Sequence, residues 1–237
     1  MPPLLRVKHA CRTWGLFPVT IAILIAEAGP VIADDSLVLH YTFDEDTGKT
    51  VRDHSTYGNH GTIVNGQYLT EQDSQQGVLR FNGEDSIINC PKTESLQFSG
   101  DMTFELRIRR NSPKTAPWSM IFGDKNDFSF YDCNYHSLLL WYKDHPRELK
   151  KETTLVPVDR NLLTDQWSHI AVVVEYPRCR FYHNGELVRD AYMPISGIMN
   201  NYKSAFMLGR KIAIDLDEFR LYRRALSAAE IAAHSHG

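Results

Sequence analysis

The chain has 237 residues, 43% of them hydrophobic and 23% charged, with a formal net charge of −3. That composition fits a globular protein of one or two domains and excludes a low-complexity or collagen-like chain. The basic pairs Arg109–Arg110, Lys150–Lys151 and Arg223–Arg224 are scattered. A mildly acidic protein without a basic patch is a poor nucleic-acid binder.

Residues 1–33 differ from the rest. Arg6, Lys8 and Arg12 give a basic start, Trp14 to Ala26 form an apolar run of 13 residues, and Val31–Ala33 place small or aliphatic residues before Asp34. This is the three-part layout of a secretory signal peptide, and the run falls short of the roughly 18–20 residues that span a bilayer. A cleaved signal over 1–33 is expected, and an uncleaved anchor helix is the alternative. No later segment reads as transmembrane, so no membrane insertion is expected after cleavage. The mature chain, 34–237, then holds 23 basic and 28 acidic residues, a net charge of −5. It keeps Cys90, Cys133 and Cys179, spaced 43 and 46 apart. An oxidising compartment permits a disulfide, but three cysteines leave at least one unpaired within the chain, and the spacing matches no zinc pattern.

In chain order, "LVLHYTF" puts Leu37, Leu39, Tyr41 and Phe43 on one face. "GVLRFNG" follows at Gly77. "MTFELRIR" alternates Met102, Phe104, Leu106 and Ile108 against Thr103, Glu105, Arg107 and Arg109. This two-residue period marks strands with one buried and one wet face. "WSMIFGD", "SLLLWYK", "WSHIAVVVEY", "RCRFYHNGELV", "SAFMLGR" and "DEFRLYR" read as further strands. Lys143 to Asn161, charged and Pro-containing, reads as a long loop or edge excursion. Asn184-Gly185 between strands predicts a type I′ hairpin, since both residues tolerate positive φ. One helix stands out at the end, "LSAAEIAAHSHG", with a Ser227–Glu230 capping box and a Leu226–Ile231 staple. Many short antiparallel strands and one terminal helix predict a single all-β sandwich or barrel.

Taken together, "YTFDED", "DHSTYGNHGT", "GVLRFNG", "WSHIAVVVE", "FYHNGELV", "LGR" and "DLDEFRLYRRALSAAEI", in that order over about residues 36–233, resemble the LamG-like jelly-roll family of the concanavalin A-like lectin/glucanase superfamily. The resemblance implies a two-sheet antiparallel β-sandwich whose first and last strands lie side by side. It also implies a structural calcium, which takes six to eight oxygen ligands. By motif position the expected ligands are Asp44, Asp53, Asn59 and Asp217, helped by main-chain oxygens of loop 53–61. The alternative is that the acids cap turns and pair with Arg52, Arg220 or Arg223. Thr56 and Tyr57 depart from the small residues usual in that family loop. His54 and His60 lack a third nitrogen or sulfur ligand, which disfavours zinc.

No catalytic residue is expected. Glycosidases of this superfamily need two carboxylates on one strand face, and "EQDSQQ" at Glu71 lacks the second Glu. No G-x-S-x-G is present. Trp118, Tyr135 and Tyr142 are candidate ligand contacts, and Trp167, at the start of an apolar strand, is expected in the core. The expectation is a secreted, periplasmic or cell-surface non-catalytic module that recognises carbohydrate or an extracellular protein. A glycoside-active enzyme and a structural or adhesive module are the alternatives.

Overall fold

The computed structural model describes residues 34–44, 47–70, 77–97, 100–112, 116, 118–124, 128–133, 137–142, 153–158, 162–192 and 206–236. The expected signal segment, the Glu71 stretch and Tyr135 lie outside them, as does the side chain of Tyr142. The first sheet, here A, holds β1 (Leu37–Tyr41), β4 (Gln67–Thr70), β5 (Gly77–Arg80), β7 (Met102–Arg110), β12 (Ser168–Glu175), β13 (Arg178–His183), β14 (Glu186–Tyr192) and β16 (Ile214–Tyr222). Its order is β14-β13-β12-β7-β16-β5-β4, with β1 also on β16. Sheet B runs β11-β10-β9-β8-β15-β6-β3-β2. Its members are β2 (Thr50–Val51), β3 (Gly61–Val64), β6 (Ile87–Asn89), β8 (Ser119–Asp124), β9 (Phe128–Cys133), β10 (Ser137–Tyr142), β11 (Thr153–Val158) and β15 (Met207–Arg210). Within the charged stretch Lys143 to Asn161, Thr153–Val158 form β11, which pairs with β10 at the edge of sheet B.

The alternation in β7 works as expected. Phe104, Leu106 and Ile108 enter the main core, where Phe104 meets Phe122 at 5.6 Å and Phe130 at 5.1 Å from sheet B. β12 sends Ile170, Val172 and Val174 the same way, and β16 sends Leu216, Phe219 and Leu221. Burial of this continuous apolar surface between two sheets is the main stabilising term. One ion pair sits among it: Arg110 Nη2 lies 2.7 Å from Asp132 Oδ2, joining β7 to β9 across the sandwich.

The chain's two ends meet. β1 pairs antiparallel with the second half of β16, His40 opposite Arg220, while Asp215 and Leu216 of its first half pair with β5. Asn184 (φ 50°) and Gly185 (φ 83°) make the two-residue turn between β13 and β14. Gly77 is needed for space, since a Cβ there would lie 2.0 Å from the Phe43 carbonyl oxygen. Helix α1 (Ala228–His234) starts with the expected capping box. Its Ile231, with Leu226, packs on Ala171, Val173, Tyr182 and Tyr222 of sheet A. The outer face of sheet A is therefore half covered by α1 and half open.

Candidate functional site: a polar pocket beside the terminal helix

The open half of that face is built in rows, one residue per strand. In the first row Gln67, Arg80, Asp215 and Arg109 stand opposite one another across β4, β5, β16 and β7. Asp215 is fully buried and takes Arg80 at 2.7 and 2.8 Å, Arg109 at 3.0 Å and Asn111 at 2.9 Å. Burial works against its ionised form, yet the hydrogen bonds from Arg80, Asn111 and Arg109 hold its carboxyl below the ordinary range. The row ends on Trp167, which carries Arg109 over its ring at 4.6 Å and Arg107 at 5.1 Å.

Trp167 was expected in the core and is instead half-buried on the outer face. Parity explains the difference. Ile170, Val172 and Val174 occupy the core positions of β12, so Trp167 and His169 belong to the opposite face.

The second row carries a β-bulge. Leu216 faces Ile108 and Phe219 faces Leu106, so Asp217 and Glu218 together stand opposite the single residue Arg107. A bulge re-aims side chains, and here both acids line one pocket of about 340 Å³. Arg107 Nη1 donates to Asp217 Oδ2 at 2.5 Å. Burial pushes the Asp217 carboxyl up to about 6, against the pull of Arg107 and helped by Glu218 and Asp44. Glu218 accepts from Arg220 at 2.7 Å and from His40 at 2.9 Å, and these outweigh its burial and hold it low.

Beneath the pocket lies Glu105, 1% exposed, in the middle of β7. Nδ1 of His234, at the end of α1, donates to its Oε2 at 2.8 Å, and His169 Nε2 stands 3.3 Å from its Oε1. Desolvation disfavours the ionised form, but the two histidines reverse that and keep the carboxyl below its usual range. His169 is 9% exposed; its Nε2 faces Glu105 Oε1, and its Nδ1 makes no hydrogen bond among the described residues. Asn184, in the hairpin turn, accepts the His169 backbone N–H on its side chain at 2.9 Å. Ser168, Arg220, Ser235 and His236 complete the lining.

The expected calcium ligands lie elsewhere or are already engaged. Asp53 is 5% exposed. Its Oδ1 accepts the N–H groups of His40 (2.8 Å) and Ser55 (2.9 Å), and its Oδ2 accepts Ser55 Oγ and Asn59 N (both 2.6 Å). Four donors fill the four lone-pair sites of a carboxylate. Asn59 is fully buried, and its Oδ1 accepts from Thr93 at 2.7 Å and Ser95 at 3.1 Å. Asp44 takes the Gly77 N–H at 2.8 Å, and Asp217 pairs with Arg107. Among the described residues, no group of three or more His, Cys, Asp or Glu is arranged for a metal. As they stand, Asp53 and Asn59 form a hydrogen-bonded loop clasp. Tyr57 adds to that clasp: it donates to the Asp35 carbonyl at 2.8 Å and accepts from Arg223 at 2.6 Å. His54 and His60 are exposed, and His60 Nδ1 accepts the Asp53 N–H at 3.0 Å.

Of the expected ligand contacts, Trp118 is 57% exposed at the start of β8, edge-on to Tyr131 at 6.0 Å, on sheet B and away from the pocket. Cys90 and Cys179 are buried free thiols. Burial pushes Cys90 up to about 12, and Tyr41 Oη donates to its sulfur at 3.6 Å. No helix among the described residues is long and apolar enough to cross a membrane.

These two packed antiparallel sheets, with first and last strands adjacent, define a jelly-roll sandwich. The chain belongs to the concanavalin A-like lectin/glucanases superfamily, whose Laminin_G_3 family model matches residues 82–232. No curated protein sequence matches it. Among solved structures it is similar to the binding domain of Paraclostridial Mosquitocidal Protein 1, at 20% identity and TM-score 0.69, covering 85% of this chain and 52% of that one. It is also similar to domain 4 of an extracellular arabinanase from Geobacillus stearothermophilus, in complex with arabinotriose, at 18% identity and TM-score 0.64, covering 84% and 98%. A third is the binding domain of botulinum neurotoxin DC in complex with rat synaptotagmin II, at 15% identity and TM-score 0.59, covering 85% and 51%. The chain thus spans about half the length of the toxin binding domains it matches. At these identities the likeness is one of fold.

Proposed function

We propose that the domain is a non-catalytic binding module that acts outside the cytoplasm and recognises a carbohydrate or a protein partner. The observation that carries this reading is the match over 98% of an arabinanase domain whose structure holds arabinotriose. That domain is a sandwich of the same extent. The toxin domains of the same fold are binding domains too, one of them solved with synaptotagmin. The signal-like layout of residues 1–33 supports export. Fold alone does not fix function, so the pocket chemistry matters. Every carboxylate there is held by Arg or His, an arrangement suited to fixed hydrogen-bonding more than to proton shuttling.

One observation favours the glycosidase alternative, namely the raised carboxyl of Asp217 beside ionised Glu218 in one pocket. A glycan array and an extracellular-protein array, run beside product analysis on polysaccharides, separate the two. Saturable binding without new reducing ends supports the module. New reducing ends that vanish in Asp217→Asn and Glu218→Gln contradict it.

A further inference from the structure

We infer that the pocket at the Asp217–Glu218 bulge takes a basic side chain, a lysine or an arginine, of a protein partner, and that the neighbouring face of β14 carries the rest of the contact. This rests on the reading of the domain as a binding module and names the partner chemistry for its protein arm.

The bulge leaves two carboxylate oxygens open. Arg107 bonds Asp217 through Oδ2, and His40 and Arg220 both reach Glu218 through Oε2. Among the described residues, Asp217 Oδ1 and Glu218 Oε1 accept no hydrogen bond. Both residues line the pocket, and Asp217 is 3% exposed. An ionised carboxylate has about four acceptor sites. A buried one that is bonded through a single oxygen therefore calls for a further donor. Glu105 takes no part in this, since its Oε2 is held by His234 and its Oε1 faces His169.

Charge sets the class of that donor. Two arginines, Arg107 and Arg220, stand against three carboxylates, Asp217, Glu218 and Glu105. An anion has no proton to give to the open oxygens and would be repelled by the acids. A cationic donor makes charge-assisted bonds to both oxygens, roughly twice as strong as neutral ones. These gain further where water is partly excluded. An ammonium or a guanidinium has donors enough to bridge the two. The pocket's volume, about 340 Å³, is at the small end of ligand sites and suits one long side chain.

The surface beside the pocket points to a protein as the source. Asn184 lines the pocket, and its turn leads into β14, where Leu187 is 51%, Val188 43% and Tyr192 65% exposed. Leu187 stands opposite Tyr182, so it shares the outer face with α1. The charges there, Arg178 and Asp190, are paired with each other at 2.6 Å. A charged anchor beside exposed apolar and aromatic side chains is the make-up of a protein interface. The partner docks on this face and does not add a strand. β14 ends sheet A, but it carries a bulge opposite Phe181–Tyr182, and Arg189 faces inward opposite the core residue Phe181. A bulge and an inward charge both block strand addition.

The test probes residues 34–237 with an array of synthetic peptides, each holding one central Lys, Arg, citrulline, norleucine or Glu among Leu and Ala residues. The strongest binder is titrated into wild type, Asp217→Asn, Glu218→Gln, Leu187→Ser and, as a control on sheet B, Trp118→Ala, each with native circular dichroism. Asp217→Asn and Glu218→Gln remove charge at nearly constant volume. The expected result is binding of Lys or Arg peptides that is lost with citrulline or norleucine. It weakens at least about tenfold in Asp217→Asn and in Glu218→Gln, the loss of one charged hydrogen bond. It also weakens in Leu187→Ser and is unchanged in Trp118→Ala. Binding that survives both carboxylate substitutions overturns this site, and Leu187→Ser without effect overturns the β14 contact. Binding of neutral or acidic peptides alone overturns the partner chemistry. No peptide binding at all overturns the inference, while the binding-module reading then stands or falls by the glycan and protein arrays.

Discussion

His234, three residues before Gly237, reaches Glu105, 129 positions earlier, and hydrogen-bonds its buried carboxylate at 2.8 Å. This contact ties α1 to the central strand of sheet A and closes the floor of the pocket. A carboxyl whose folded pKa lies below its unfolded value contributes stability that is whole above the unfolded value, about 4.3 for Glu. That contribution is lost as pH falls through the folded value. Glu105 is such a group. Glu105→Gln is therefore expected to flatten the acid limb of the stability–pH curve below about pH 4.3. Urea unfolding between pH 7 and pH 3 checks this, and an acid limb as steep as in wild type would count against it.

Arg110 and Asp132 form a buried pair that spans the two sheets at 2.7 Å. Removing one partner leaves an uncompensated buried charge. Arg110→Ala should cost about 3–5 kcal/mol, whereas the double change Arg110→Met with Asp132→Leu should be neutral or stabilising by about 1–4 kcal/mol. Guanidinium denaturation of both variants decides it, and equal losses in the two would refute the reading.

The loop from Asp53 to Thr62 is held by the hydrogen bonds that Asp53 accepts from His40, Ser55 and Asn59. Asp53→Ala should destabilise by at least about 3 kcal/mol, since it deletes several charge-assisted bonds of roughly 1.5–3 kcal/mol each. For the same reason EDTA at matched ionic strength should leave Tm unchanged. A fall of several degrees on chelation, restored by calcium, would show that the loop opens to hold the ion expected at Asp44, Asp53, Asn59 and Asp217.

Cys90 and Cys179 lie inside the sandwich, with thiol pKa values raised by burial. Reactivity follows the thiolate. Both should resist iodoacetamide in the native protein at pH 8 and label fully in denaturant, as read by peptide mass mapping. Rapid native labelling at either position would contradict their placement.

Much of this architecture is legible in the sequence. The period-2 pattern of Met102–Arg109, the Asn184-Gly185 turn and the Ser227–Glu230 capping box are local signals, and local hydrogen-bonding settles them. The adjacency of the ends was implied by the resemblance and is seen as the His40–Arg220 pairing. The pocket was not read, because its floor joins Glu105, His169 and His234 across more than a hundred positions. Two signals were nonetheless present. Glu105 and Arg107 share the wet face of an otherwise apolar strand, and His169 interrupts the apolar run of β12. Strand parity would also have moved Trp167 from the core to the outer face. The bulge at Asp217–Glu218 has no such signature, since it depends on a pairing register with β7 that sequence does not display.

Glycan and extracellular-protein arrays probed with residues 34–237, with product analysis on polysaccharides alongside, test the central claim most directly. The account predicts saturable binding to a glycan or a protein without new reducing ends. New reducing ends that vanish in Asp217→Asn and Glu218→Gln would contradict it.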